Sequence, residues 1–151
     1  MSNVLIQGLV AFVATWAFAM MFDVPKEQYA PSGVTGAAGW ICYLLCTAAG
    51  MSMPMASFFA ALVLTCMARV FSIARCCPVT VFLVCGIFPL VPGAGIYYTA
   101  YHFIMSENAL AVSKGIETLK VAVAIALGIV AVLSLPMSIF RLFAPHRKTN
   151  K

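Results

Sequence analysis

The residues with the most chemical content lie together. Pro89-Leu90-Val91-Pro92-Gly93-Ala94-Gly95 sets two prolines and two glycines within seven positions of an otherwise apolar stretch. Proline has no N–H, and its ring clashes with the preceding helical turn. Glycine admits positive φ and close backbone approach. The pattern predicts a helix interrupted at this point. Its second half would start near Pro92, a favoured first-turn residue, and the free N–H groups and positive dipole end there suit a carboxylate. Carbonyls closing the first half, around Cys85–Phe88, suit an ammonium or a cation. Tyr97, one turn further on, can aim a hydroxyl at a bound molecule. The expected substrate-binding set is therefore Pro89, Pro92, Gly93, Gly95 and Tyr97. A kink that only shapes packing is the plainer account of the same residues, and both accounts stand at this level.

Other reactive side chains are few. The acids are Asp23, Glu27, Glu107 and Glu117, and none sits in the middle of an apolar run. A proton-coupled carrier usually places a carboxylate or histidine within the membrane. Here His102 is the candidate, because its charge changes near neutral pH. An interfacial histidine among Tyr97, Tyr98 and Tyr101 is the favoured account, which leaves any coupling carboxylate to a partner. Asp23 and Lys26 flank Pro25 and can form a gate, although a solvated helix end explains them more simply. The six cysteines include no C-x-x-C and are expected to be small packing residues. Met51, Met53 and Met55 resemble a copper(I) run, but an apolar hairpin is favoured. No metal or cofactor is expected. With no Ser/His/Asp set, no H-E-x-x-H and no paired carboxylates at depth, an enzyme is not expected.

The elements that must position these residues follow from composition. The 151 residues are 64% hydrophobic and 9% charged, against about 45–50% and about 25% in soluble domains. A small soluble domain cannot hide that much apolar surface. This excludes a soluble enzyme, a disordered chain and a nucleic-acid module. The reading is an all-α polytopic membrane protein, one transmembrane domain over 1–151, embedded in the lipid bilayer. A spanning helix needs about 20 apolar residues. Spans are expected over about 4–22, 34–50, 54–73, 78–105 and 121–140, the fourth broken by the proline-glycine segment. The turn between the second and third falls at Gly50-Met51-Ser52-Met53-Pro54. Residues 106–118 read as a short amphipathic helix at the outer surface. Residues 4–22 are preceded by no Lys or Arg and exceed a signal-peptide core, so a retained helix is expected.

Five crossings put the termini on opposite sides. Lys26, Arg69, Arg75, Arg141, Arg147, Lys148 and Lys151 share one side, and Lys114 and Lys120 the other. The positive-inside rule then places the N-terminus outside and the C-terminus in the cytoplasm. Arg69, in the last turns of the third span, is expected to snorkel to water. Small residues at Gly36, Ala37 and Gly39, and at Ala124 and Gly128, mark helix contacts.

Several segments together carry a family resemblance. They are Phe18-Ala19-Met20-Met21-Phe22-Asp23-Val24-Pro25, Gly36-Ala37-Ala38-Gly39-Trp40 with Tyr43, Arg75-Cys76-Cys77-Pro78-Val79-Thr80-Val81-Phe82, and Phe88 through Tyr97. The chain resembles the small membrane subunit of the threonine/serine exporter family (ThrE-like, YjjB type) over nearly its whole length. The resemblance implies a five-span module working with a larger subunit of the same family, as a hetero-oligomer. It implies export of small hydrophilic metabolites, threonine and serine or dicarboxylates, across the cell membrane. A non-transporting scaffold for a larger membrane protein is the alternative.

Overall fold

The computed structural model describes residues 2–137 and 140. Every regular element among them is helical: α1 (Ser2–Met21), α2 (Tyr29–Ala48), α3 (Met53–Arg75), α4 (Val79–Ile87), α5 (Gly93–Ile104) and α6 (Asn108–Leu133). Short 3₁₀ turns occupy Lys26–Gln28 and Phe88–Leu90.

Burial runs opposite to the soluble pattern. Large apolar side chains such as Leu5, Leu9, Val13, Val123 and Leu127 are exposed, while Ala56, Ala60, Ala68, Thr15, Ser32 and Thr35 are buried. This is the arrangement of helices in lipid, where small residues permit close approach and apolar ones meet acyl chains. By length and composition α1, α3 and α6 can cross a membrane, and the α4–α5 pair qualifies together across its break. α2 is as long as α1 but rich in Gly, Ser and Thr, because it packs against α1, α3 and α4.

Close approach is concrete at two glycines. A Cβ on Gly36 would lie 2.0 Å from Thr15 Oγ1, and one on Gly128 would lie 2.8 Å from the Phe58 carbonyl oxygen. The buried hydroxyls of Thr15, Thr35 and Thr65 bond the carbonyls of Ala11, Pro31 and Ala61 on their own helices. They therefore need no partner across the interface. Ala60, Ala61, Leu64, Leu90 and Ile125 form the main core.

Gly128 meets Phe58 and Ala61, while Leu133 and Leu135 meet Arg69. Both sequences ascend together, so α3 and α6 run parallel. Their C-terminal ends share the end of the bundle that carries the α1–α2 and α3–α4 turns.

Two expectations change. The surface helix over 106–118 and the fifth span from 121 are one continuous helix, α6. Nothing in SENALAVSKGIET breaks a helix, since Gly115 alone is tolerated. α6 ends at Leu133, before the turn at Ser134 and Pro136; the end of the expected span lies partly outside the described residues. The second change is Arg69. It is buried rather than snorkelling, with Nη1 2.6 Å from the Leu135 carbonyl and Nη2 2.5 Å from that of Leu133. Its guanidinium also lies 5.1 Å from the centre of the Phe140 ring. A fixed planar cation satisfies carbonyls that the end of α6 leaves open.

This pairing generates a stability prediction. Charge-assisted bonds contribute about 1.5–3 kcal/mol each. Arg69→Met should cost about 3 kcal/mol in all, and Arg69→Lys less, because an ammonium can keep one bond. Thermal unfolding in detergent, followed by tryptophan fluorescence, should rank them wild type, Lys, Met. Equal midpoints would show that Arg69 does not hold α6.

Candidate functional site

The interruption follows from the two prolines. Pro89 cannot donate to the carbonyl of Cys85 four residues back. The chain tightens into the 3₁₀ turn Phe88–Leu90, and Val91 N–H donates to the Ile87 and Phe88 carbonyls at 3.2 and 3.3 Å. Gly93 N–H then donates to the Val91 carbonyl at 2.7 Å, and Ile96 N–H opens α5 on the Pro92 carbonyl at 3.1 Å. The two helical pieces are bent by 53°. Pro92, the centre of that inverse γ-turn at φ of −77° and ψ of 59°, precedes α5 without a side-chain cap. Among the described residues the N–H groups of Ala94 and Gly95 take no acceptor. The start of α5 thus keeps donors and a partial positive charge.

The expected site residues do not converge. Pro89 lines a cavity of about 290 Å³ with Gln7, Val10, Ala11, Ala14, Phe18, Trp40 and Phe88. Pro92 lies on the other side of the turn, in a groove of about 500 Å³ between α5 and α6. Gly93 faces open space: a Cβ there would meet nothing within 4 Å. Gly95 packs on α6, where a Cβ would sit 2.4 Å from Thr118 Oγ1. Tyr97 is 63% exposed and stacks on Tyr101 at 6.3 Å, away from both hollows. Neither Gly93 nor Gly95 uses the positive φ that glycine admits; among the described residues Gly50 is the glycine with that conformation.

The two hollows differ in chemistry. Ile87, Val91, Ile96, Leu119 and Ile125 make the α5–α6 groove apolar. Its hydroxyls, Thr99 and Thr118, are taken by the carbonyls of Gly95 and Lys114 at 2.7 Å each. The smaller cavity is lined by Gln7, itself exposed, and Trp40 beside Pro89. A side-chain amide in a spanning helix needs a hydrogen-bonding partner, because lipid offers none. Composition did not single out Gln7; the signal was an amide inside the apolar run 4–22.

Asp23 and His102 lie apart from both hollows. Asp23 is exposed in the turn after α1 with φ of 56°. His102 closes the α5–α6 turn, its Nδ1 2.5 Å from Glu107 Oε2, while Glu107 N–H donates to the His102 carbonyl at 2.9 Å. The Tyr101 ring packs edge-on at 5.6 Å. The six cysteines carry free thiols; Cys85 is buried and Cys76 is exposed, so not all are interior residues.

Neither a curated protein nor a solved structure matches the chain. The family model of the threonine/serine exporter, ThrE, matches residues 7–135, which takes in most of α1, the interruption and all of α6. With the bundle of apolar helices and the helix broken at Pro89 and Pro92, that match makes the chain a membrane protein of the threonine/serine exporter family.

Proposed function

We propose that the chain is the small subunit of a split secondary transporter that exports small hydrophilic metabolites, of the threonine and serine or dicarboxylate type, across the cytoplasmic membrane. The observation that carries this reading is the interruption at 88–92 beside a cavity that Gln7 helps to line. Discontinuous helices hold small charged substrates in many secondary transporters, because their ends expose unpaired backbone groups at depth. The N–H groups starting α5 suit a substrate carboxylate, and Gln7 adds a hydrogen-bonding group on the other face of the turn. In this reading α4 and α5 form one bent crossing and α2 another. That gives five crossings, an outside N-terminus and a cytoplasmic C-terminus, for which the parallel run of α3 and α6 and the Lys/Arg distribution are support. Coupling and the remainder of the substrate path come from a larger family subunit, since no acid lies in either hollow.

A second reading, a scaffold subunit without transport, draws on the α5–α6 groove. An apolar groove reaching Pro92 is what a packing surface for a larger membrane protein requires.

The two readings separate by export. A host strain lacking this chain should lose efflux of labelled threonine, serine or succinate and regain it on complementation. The chain alone in liposomes should export nothing, and transport there would refute the split-subunit reading. Pro92→Ala should let the helix run on and consume the free N–H groups, lowering apparent affinity roughly tenfold for a loss of about 1–2 kcal/mol. Gly93→Val should insert normally, because its side chain has room. Lost export in that variant therefore reports on substrate or partner. If both variants export at the wild-type rate, the interruption is only a kink.

Gln7→Leu should reduce efflux at unchanged membrane abundance, and Gln7→Asn should keep part of it. Terminal reporter fusions should place the ends of the chain on opposite faces. Both ends on one face would eliminate five crossings.

A further inference from the structure

The amide of Gln7 stands on a face of α1 that the described residues leave uncovered. α1 has 20 residues, about 30 Å by the helical rise, which matches the hydrocarbon core of a bilayer. Gln7 is five residues beyond Ser2, about 7.5 Å along the axis, so its amide is carried inside that layer. It is exposed, and no hydrogen bond to the described residues holds it. α1 turns Gly8, Ala11, Thr15 and Ala19 inward, all of them buried. Beside that face runs a second stripe, Gln7, Val10, Ala14, Ala17 and Met21, at alternating three- and four-residue steps. Ala14 is half-buried and the others are exposed.

The stripe has the form of a helix-pairing seam. Steps of three and four make the repeat of about 3.5 residues by which two helices keep one edge in contact. The alanines at its middle allow close approach, and no charged residue stands on it. The same edge is a wall of the cavity beside Pro89, through Gln7, Val10 and Ala14. With Gln7 and Val10 exposed, that cavity opens sideways along α1, where lipid would stand. A polar path cannot end on acyl chains, which offer it no hydrogen bond. A second helix seated on the stripe pairs the amide and closes the cavity in one contact.

We propose that the stripe is a homodimer seam, on which α1 of a second copy packs parallel to α1 of the first. Copies inserted in one orientation are related by a two-fold axis along the membrane normal, so each residue meets its own counterpart at the same depth. An amide suits that symmetry because it donates and accepts at once. The Gln7 amides of the two copies bond reciprocally, each through its carbonyl and one N–H, and the second N–H of each stays free for the cavity. Further along, alanine meets alanine. The two cavities flank the seam, and the opposite copy walls each of them. A helix of a larger subunit is the rival occupant. It would have to carry a matching polar group at this one depth, whereas a second copy supplies that group by symmetry. The closing of the cavity rests on the exporter reading; the seam itself does not.

The seam is read by disulfide crosslinking in membranes of the native host, with this chain deleted and restored as each variant. Ala14→Cys and Ala17→Cys fall on the stripe, and Leu9→Cys, exposed but off it, is the control. The wild-type chain with its native free thiols sets the background. Mild oxidation should give a product of twice the chain's mass several-fold more from the stripe variants than from the control. Two copies with different epitope tags should also co-purify. Gln7→Leu should cut both readouts about fivefold or more, the scale of an interhelical amide bond, and Gln7→Asn should cut them less. Ala17→Trp adds bulk at an exposed position of the seam and leaves the amide in place, and it should cut co-purification as well. Equal crosslinking at 9, 14 and 17 would overturn the seam, as would a product that joins 14 or 17 to a larger subunit instead. A dimer unchanged by Gln7→Leu would overturn the pairing of the amides. Crosslinking at 14 and 17 supports the seam whether or not the strain exports threonine or serine, so absent export overturns the exporter reading alone. In an exporting strain Ala17→Trp should lower efflux several-fold at matched membrane abundance, and unchanged efflux would overturn closure of the cavity by the second copy.

Discussion

In a bilayer every backbone N–H and C=O must find a partner inside the protein, and the two prolines at 89 and 92 make that impossible over one short stretch. The rest of the fold is arranged around this constraint. α4 stops where Pro89 takes away its next donor, a 3₁₀ turn recovers the Ile87 and Phe88 carbonyls, and α5 begins with two donors unpaired. Leu90, in the middle of the turn, is buried against Ala60, Ala61, Leu64 and Ile125, so the irregular backbone is pinned to the core of the bundle. Protein covers the irregular backbone on the bundle side.

That pinning needs a slim scaffold. α2 supplies it with glycine, serine and threonine, which let α1, α3 and α4 approach within backbone contact. The same small residues keep α2 from looking like a spanning helix by composition alone. Stability at the interfaces comes from shape and dispersion, since lipid competes equally well for large apolar groups. Polar anchoring is confined to a few points. Arg69 on the end of α6 is one, and the pair of contacts between His102 and Glu107 at the α5–α6 turn is another.

Much of this was legible in the chain. The apolar runs gave the helices, Pro89 and Pro92 gave the interruption, and Gly36, Gly39 and Gly128 gave the contacts. What escaped was direction and partnership. Tyr97 sits one turn past the break as expected, yet helical phase turns it outward onto Tyr101. Pro89 and Pro92 are three residues apart but face different hollows, because the backbone leaves the 3₁₀ turn at Val91, with ψ of 128°, and at Pro92, with ψ of 59°. Arg69 reads as a snorkelling side chain, since its partners lie more than sixty residues away and are carbonyls, which carry no residue identity.

The uninterrupted length of α6 has a mechanical meaning. At 26 residues it is about 39 Å long by the helical rise. Its C-terminal half is fixed along α3 by Ile125, Gly128 and Arg69. Its N-terminal half overhangs that contact and carries α5, which lies against it at Gly95 and Thr118 and has no residue of its own buried. The chain before the interruption is therefore seated on the core through Leu90, while the chain after it is seated on the overhang of α6.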